Sequence, residues 1–370
     1  MSAQRKYART IDGAFKELVL DGQRMGPFQA YKHFERLSER VKGAEWSRDL
    51  FLLINELMMR GGTSMQAATS GTTGPPKRMR IPRSDLVRSA RLTADTFGLQ
   101  QNDRVLLCLP CAYIAGKMMV VRAMALGLDL HVIDPRGGVL DNLKVPDRFR
   151  FTAMVPLQLH RAVQEDRARV EQQFQTILLG GGPISAALEE DLQGLRTEVY
   201  QSYGSTETVT HVALRRLNGP ERSAWYQAIG RVTFSTDGRG CLVVDTPHLS
   251  TKRHVTNDLV ELHGNSSFHW LGRIDNVILS GGKKIYPEQL EAKTAGIIPF
   301  PHYFTAVPDD RLGQAVALVL ETEEGAEAVL DELLRSLFNV LSIHEMPRRV
   351  AALRAFRRTG SGKVIRHPAT

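Results

Sequence analysis

The 370-residue chain is 42% hydrophobic and 24% charged, the make-up of a globular protein with room for two or three domains. Its formal charge of +8 comes from 48 Lys and Arg against 40 Asp and Glu; no block of about five like charges occurs, which argues against nucleic acid and for a solvated surface with an anionic-ligand site. Cys108, Cys111 and Cys241 make no disulfide framework and, with one C-x-x-C pair, no zinc site; the polar N-terminus and the lack of an apolar run of about 18 residues predict a cytoplasmic chain with no membrane span.

In chain order, residues 46–59 carry enough apolar side chains for a helix, and Ser84 is placed to cap a helix ending at Phe97. Apolar runs and helical periodicity then alternate: strand 104–109, helix 115–126, strands 128–133 and 151–155, helix 157–171, strand 176–179, helix 185–195 and strand 198–201. That alternation predicts crossover units and a mostly parallel sheet, with Cys108 packed inside a strand. After residue 225 come short β-like pieces at 241–245, 258–262 and 268–271, separated by Gly, Asn and Ser, which predict a small antiparallel or barrel-like section. A final unit holds strand 276–279, a helix from Pro287, strands 304–307 and 316–320, a helix 326–341 and a basic loop from Phe356. The expected fold class is α/β: a large N-terminal domain of α/β subdomains with a small β-rich section over 1–273, and a small mobile α+β C-terminal domain over 274–370.

Thr69-Ser70-Gly71-Thr72-Thr73-Gly74-Pro75-Pro76-Lys77 sets hydroxyls and two glycines ahead of a lysine. Glycine lets backbone N–H groups approach oxygen anions, hydroxyls donate further bonds and lysine adds charge, so the segment suits a polyphosphate. It lacks the G-x-x-x-x-G-K-[ST] pattern of P-loop enzymes. Gly360-Ser361-Gly362-Lys363 fails that pattern too, with Arg357 in place of the first glycine and Val364 after the lysine.

The segment 69–77 resembles the phosphate loop of the acyl-adenylate-forming superfamily, which holds AMP-forming acyl–CoA synthetases, peptide-synthetase adenylation domains and luciferases. Further motifs follow in the superfamily's order. Gly180-Gly181-Gly182-Pro183 is similar to its strand-to-helix turn beside adenine, and Gln201-Ser202-Tyr203-Gly204-Ser205-Thr206-Glu207-Thr208 to its Y-G-x-T-E motif. By resemblance Tyr203 stacks on adenine, Thr206 contacts phosphate, and Glu207, with Thr72, holds Mg²⁺, a cation that takes oxygen ligands. Thr256-Asn257-Asp258 stands where members usually have T-G-D; Asp258 would bind the ribose hydroxyls. Gly272-Arg273-Ile274-Asp275, then Gly281-Gly282 and Glu291, resemble the superfamily's domain junction. There Arg273 contacts ribose or phosphate, Asp275 is the hinge and the glycine pair lines the pantetheine passage. Arg358-Thr359-Gly360-Ser361-Gly362-Lys363 matches the loop bearing the catalytic lysine, Lys363. Singly, each residue has an ordinary explanation; five ordered motifs between residues 69 and 366 do not. The resemblance is weakest before Thr69, where the chain is shorter than most members and the fold of 1–68 stays open.

The resemblance implies ATP, Mg²⁺ and coenzyme A as ligands and two half-reactions. A carboxylate attacks the α-phosphorus of ATP and expels pyrophosphate; a thiol then takes the acyl group. Positioning and charge stabilisation dominate such chemistry, with Lys363 bridging the carboxylate and the α-phosphate. For the acid, Leu109-Pro110-Cys111-Ala112-Tyr113-Ile114-Ala115-Gly116-Lys117 lies where members carry L-P-x-x-H-x-x-G beside the acyl pocket. Lys117 and Arg122, on the following helix, suit a substrate with a second carboxylate, and Tyr113, Ser205 and His211 are further pocket candidates. The short length and the 201–208 stretch resemble the o-succinylbenzoate–CoA ligases of menaquinone synthesis. Loading of an aryl or acyl acid onto a carrier-protein thiol, and a non-catalytic nucleotide-binding relative, are the alternatives. A monomer and a homodimer are equally compatible with the sequence.

Overall fold

The computed structural model describes residues 13–41, 44–69, 77–323, 330–359 and 364–366. The chain opens with a hairpin, β1 (Leu18–Leu20) and β2 (Gln23–Met25), followed by helices α1 (Pro27–Arg40) and α2 (Glu45–Ile54), the latter running on into a π-helical turn at Asn55–Met59. A second hairpin, β3 (Ser64–Ala68) and β4 (Arg78–Pro82), leads into α3 (Arg83–Phe97). Then comes the crossover series β5 (Arg104–Leu107), α4 (Ile114–Leu126), β6 (Asp129–Val132), β7 (Phe149–Met154), α5 (Pro156–Gln173), β8 (Phe174–Leu179), α6 (Ala186–Asp191) and β9 (Glu198–Gly204). In space β1, β6, β5, β7, β8 and β9 are neighbours and run parallel. From β5 the chain goes through α4 to β6 on one side and returns to place β7 on the other. That reversal of strand order opens a crevice at the carboxyl ends, the usual ligand site of open α/β sheets.

The strands are buried on both faces, so successive residues feed different cores. Val105 and Leu107 join Phe151 and Ala153 in the core shared with α3 and α4, whereas Leu106 and Cys108 join Ile177 and Leu179 in the core under α5 and α6. The Cys108 Sγ donates to the Ala153 carbonyl at 3.3 Å. Burial pushes both the Cys108 and the Cys111 thiol up to about 12, so neither is a thiolate at neutral pH.

The β-rich part takes the antiparallel of its two expected forms, but it is not set apart from the first sheet. Strands β10 (His211–Arg216), β11 (Tyr226–Ala228), β12 (Thr233–Thr236), β13 (Cys241–Asp245), β14 (Arg253–His263) and β15 (Ser267–Arg273) are antiparallel, but they extend the same sheet, which reaches thirteen strands in the order β12-β13-β14-β15-β11-β10-β9-β8-β7-β5-β6-β1-β2. The cause is local: β10 turns back directly on β9, so the ladder continues across the junction. Helix α3 also starts one residue before the expected cap, with Pro82 at the cap position and no side-chain capping bond. Ser84 lies inside the helix, and Asp85 beside it accepts the Ser250 N–H at 3.0 Å and its hydroxyl at 2.8 Å.

A second sheet begins at residue 278. It comprises β16 (Ile278–Ser280), β17 (Lys283–Ile285), α7 (Pro287–Thr294), β18 (His302–Asp309), β19 (Gly313–Glu321), α8 (Leu330–Leu337) and β20 (Arg349–Leu353), with strand order β17-β16-β19-β18 and β20 parallel to β19. It has its own core, including Ile278, Phe304, Leu318 and Leu337. Residues 326–329, the start of the helix expected over 326–341, lie outside the described residues. Among the described residues no helix is long and apolar enough to cross a membrane.

Candidate active site

Some of the sequence-selected residues, Gly181 to Pro183 and Ser202 to Gly204, lie at the carboxyl ends of the parallel strands β8 and β9. Ser70, Gly71, Thr72, Thr73 and Gly74 lie outside the described residues, but both stems of their segment are in place. The Thr69 N–H donates to the Lys77 carbonyl at 3.0 Å, and the Lys77 N–H donates to Thr69 Oγ1 at 3.0 Å, extending the β3–β4 ladder. Gly181, Gly182 and Pro183 follow the end of β8, ahead of Ser185, whose side chain caps α6 by accepting the Leu188 N–H at 3.1 Å. Ser202, on β9, donates to the Leu179 carbonyl at 2.8 Å and ties the two strand ends together.

A polar chain runs from this edge along the antiparallel strands. The Tyr203 hydroxyl donates to Asp258 Oδ2 at 2.5 Å. Asp258 is the register partner of Arg273, whose Nη1 is 3.6 Å away, and Arg273 also pairs with Asp275 at 2.7 Å. Asn257, the departure from T-G-D, donates to both Asp275 oxygens at 3.3 Å. Burial, reinforced by the neighbouring Asp258 carboxylate, raises the Tyr203 phenol well above its ordinary value, so the phenol stays a donor. Asp275 sits in the 3₁₀ turn Ile274–Asn276 between the two sheets.

The turn from β9 to β10 is held by Thr208, whose hydroxyl accepts the Ser205 N–H at 2.8 Å and donates to the Thr210 carbonyl at 2.8 Å. It leaves Thr206 buried and Glu207 exposed, facing His254. Val209 has φ +67°, a left-handed conformation that is an outlier for a β-branched residue and costs about 1–3 kcal/mol. The Thr210 N–H closes this turn on the Thr208 carbonyl at 2.8 Å. Gly204 is required for the close approach: a Cβ there would lie 2.3 Å from the Thr210 carbonyl oxygen and 2.7 Å from the His211 Cα. Gly204→Ala is therefore expected to cost about 1–3 kcal/mol of stability, the range for overpacking, and to displace the 205–211 turn; equilibrium urea unfolding measures it.

The acyl-pocket candidates separate. Lys117 is partly exposed and donates to the Gln66 carbonyl at 2.9 Å, beside Asp49, and so is tied to the β3–β4 hairpin. Tyr113 stands at the start of α4, near Asp49 as well. Ser205 is exposed at the head of the turn. Arg122 and His211 do converge, in the interior. Arg122 is 2% exposed and donates to Thr93 Oγ1 at 3.2 Å and Thr210 Oγ1 at 3.0 Å. No carboxylate pairs with it among the described residues, and burial lowers its pKa to about 10, which leaves it a cation at neutral pH.

His211 adds a second unmet group. Burial, then the Arg122 charge, push its pKa well below the ordinary range, so the ring is neutral. Its Nδ1 is 3.1 Å from Thr210 Oγ1. Because Thr210 already accepts from Arg122, the arrangement that uses the Thr210 proton sends it to Nδ1 and leaves the ring proton on Nε2. Nε2 is buried and has no partner among the described residues.

Gly281 and Gly282 also have a local structural role. They form the two-residue loop between β16 and β17, with φ +55° and +80°, and such hairpin turns need positive φ at both positions. Lys363 lies outside the described residues. Thr93 and Thr210 escaped sequence reading. Thr210 adjoins the Y-G-x-T-E motif and could have been included with it; Thr93, on α3, gives no local signal.

The profile of the AMP-binding enzyme family matches residues 68–252, half of the chain. The chain belongs to that family. Its overall similarity to one AMP-binding enzyme structure, an acyl-CoA synthetase (AMP-forming)/AMP-acid ligase II-like protein from Dyadobacter fermentans, is 35% in sequence, covering 92% of this chain and 96% of that one at TM-score 0.59. The O-succinylbenzoate coenzyme A synthetase of Bacillus subtilis, solved with ATP and magnesium, shares the AMP-binding enzyme fold at TM-score 0.71, with 18% identity over 95% of this chain and 96% of that one. The 2-succinylbenzoate–CoA ligase of Geobacillus sp. is 25% identical over 339 residues, spanning 81% of this chain and 67% of that protein. The AMP-binding profile covers the 69–77 segment, the β8 turn and the β9–β10 turn together.

Proposed function

We propose that this AMP-binding enzyme is an ATP-dependent acyl–CoA ligase acting on an acid with a second carboxylate, with o-succinylbenzoate as the assigned substrate. The observation that carries the reading is the buried Arg122, a cation facing hydroxyls, beside the unpartnered His211 Nε2. An uncompensated buried charge is costly, and so is an orphaned buried donor. One carboxylate group would meet both, which a fatty acid buried by its tail would not. Similarity to 2-succinylbenzoate–CoA ligases supports the same assignment.

In this reading the nucleotide lies across the carboxyl edge, with adenine between Tyr203 and the Gly181–Pro183 turn. The ribose takes the place of the Tyr203 hydroxyl on Asp258, and Arg273 contacts ribose or phosphate. Thr69, Lys77 and Thr206 flank the phosphates. Glu207 is an exposed carboxylate with no ion pair among the described residues, a fitting oxygen ligand for Mg²⁺ when nucleotide oxygens supply the rest. Bound there, the ion would offset phosphate charge. Lys363 reaches the reacting carboxylate from the smaller domain, 274–370, which turns about Asp275 to admit coenzyme A past Gly281 and Gly282. Three buried free thiols fit a reducing, cytoplasmic setting.

Pyrophosphate release with ATP across an acid panel tests this. The expected result is release with o-succinylbenzoate and little with benzoate or fatty acids. Release with a fatty acid equal to that with o-succinylbenzoate refutes the substrate class. No release with any acid refutes the ligase reading and restores a non-catalytic one.

A further inference from the structure

A cleft of about 610 Å³ opens at the amino ends of the parallel strands. Its lining includes Arg104, Phe149, Phe174 and Glu198, the first residues of β5, β7, β8 and β9. The site proposed for the nucleotide lies at the opposite ends. Strand β7 has 6 residues, which at about 3.3 Å each sets the two edges roughly 20 Å apart. The cleft's volume falls in the range of small-molecule sites, about 300–1,000 Å³. Part of its wall is apolar: Phe149 and Phe174 are buried and stacked, with ring centroids 5.8 Å apart.

Charge around the cleft is unevenly met. Both carboxylates of the lining are taken, Glu171 by Arg196 at 3.1 Å and Glu198 by Arg216 at 3.3 Å. Arg104 lies between Asp21 and Asp147, at 3.0 and 3.2 Å. Arg148 and Arg150, also in the lining, pair with no carboxylate among the described residues. Arg148 donates to the Val145 and Asp147 carbonyls at 2.8 and 2.9 Å, and Arg150 to the Thr176 hydroxyl at 3.2 Å and the Phe97 carbonyl at 2.7 Å. Two further lining atoms are buried with no hydrogen-bond partner among the described residues: Arg104 Nε, a donor, and Gln173 Oε1, an acceptor. Gln173 is 1% exposed, and its Nε2 is committed to the Lys144 carbonyl at 2.6 Å, so Oε1 can only accept. Two guanidinium groups without counter-charge suit an anion, and Oε1 calls for a hydroxyl. We propose that this cleft binds a small hydroxylated anion, a phosphate ester or a hydroxy acid, at a site separate from the nucleotide's.

The test is calorimetric titration of the full-length chain with glycerol 3-phosphate, glycerate and sulfate. One of the two hydroxylated anions is expected to bind at least about tenfold more tightly than sulfate, which offers Gln173 no donor, and the tighter of them tells a phosphate from a carboxylate ligand. Arg148→Ala, a change at an exposed position, should weaken that binding about tenfold, as loss of one charge-assisted hydrogen bond would. Gln173→Leu should bring the hydroxylated anion down to the level of sulfate and leave sulfate where it was. Lys77→Ala, in the segment at the other edge, should change neither. Because Gln173 is buried, its variant counts only if its thermal unfolding matches the parent's; the Arg148 variant decides by itself otherwise. Binding no tighter than that of sulfate, no binding at millimolar concentration, or binding that Arg148→Ala leaves intact would overturn the proposal. Binding lost in Lys77→Ala and kept in Arg148→Ala would assign the anion to the nucleotide site instead. The readout is binding alone, so it stands or falls apart from the ligase reading.

Discussion

Arg122→Met is expected to lower kcat/KM for o-succinylbenzoate by about 10²–10³-fold while leaving the folded protein as stable as before, or more so. The expected effect comes from what Arg122 lacks. Breaking a buried ion pair costs about 3–5 kcal/mol because a charge is left alone. Here the charge is already without a carboxylate, since among the described residues Arg122 donates only to Thr93, Thr210 and the Met119 sulfur. Methionine of similar length removes the desolvation cost and keeps contact with Phe151, whose ring centroid lies 5.9 Å from the guanidinium. The substrate carboxylate, in contrast, loses the cation proposed for it, and about 1.4 kcal/mol corresponds to each tenfold loss. KM for ATP should not move. Denaturant unfolding and steady-state kinetics check both halves. A strongly destabilised variant with unchanged kcat/KM would show that Arg122 serves packing.

Lys363→Ala is expected to lower adenylate formation by at least ~10²–10³-fold, the effect of removing one well-placed charge-stabilising donor, and to spare thioester formation from supplied acyl-adenylate. Residues on both sides of the lysine are held. Arg358 and Val364 form a bridge, the Ile365 N–H donates to the Arg357 carbonyl at 2.8 Å, and Arg358 pairs with Glu321 at 2.6 Å. The residues flanking the lysine are therefore held on the second sheet, while Tyr203 and Asp258 belong to the first and Glu207 to the turn between its strands β9 and β10. A group on a separate body can serve one step and leave before the other. Rapid-quench measurement of each half-reaction is the check, and equal loss in both would contradict the division of labour.

What sequence revealed and what it hid follow from the range of the interactions. The crossover strands were legible because both faces are buried and Gly, Pro or polar residues bound each run, as at Arg104–Leu107 and Phe174–Leu179. Strand β10 was not, since its apolar run is only Val212 to Leu214 and no Gly or Pro bounds it, His211 and Arg215 standing on either side. The continuation of one sheet through β15 depends on pairings between strands remote in sequence, such as Tyr226 with Phe268, which local texture cannot specify. In the site, motifs fixed Tyr203, Asp258 and Arg273, but not that they would touch. Lys117 and Arg122 look equivalent as cations on one helix. Five residues apart, they point in different directions around it, one to a hairpin carbonyl and one into the core.

The most direct measurement follows oxygen. o-Succinylbenzoate labelled with ¹⁸O in both carboxylates is turned over with ATP and coenzyme A, and the products are weighed by mass spectrometry. Attack of the carboxylate on the α-phosphorus, then thiol cleavage of the acyl C–O bond, must leave one ¹⁸O in AMP and none in pyrophosphate. Label in orthophosphate alongside ADP would contradict the account, because it would mean that the acid had attacked the terminal phosphorus.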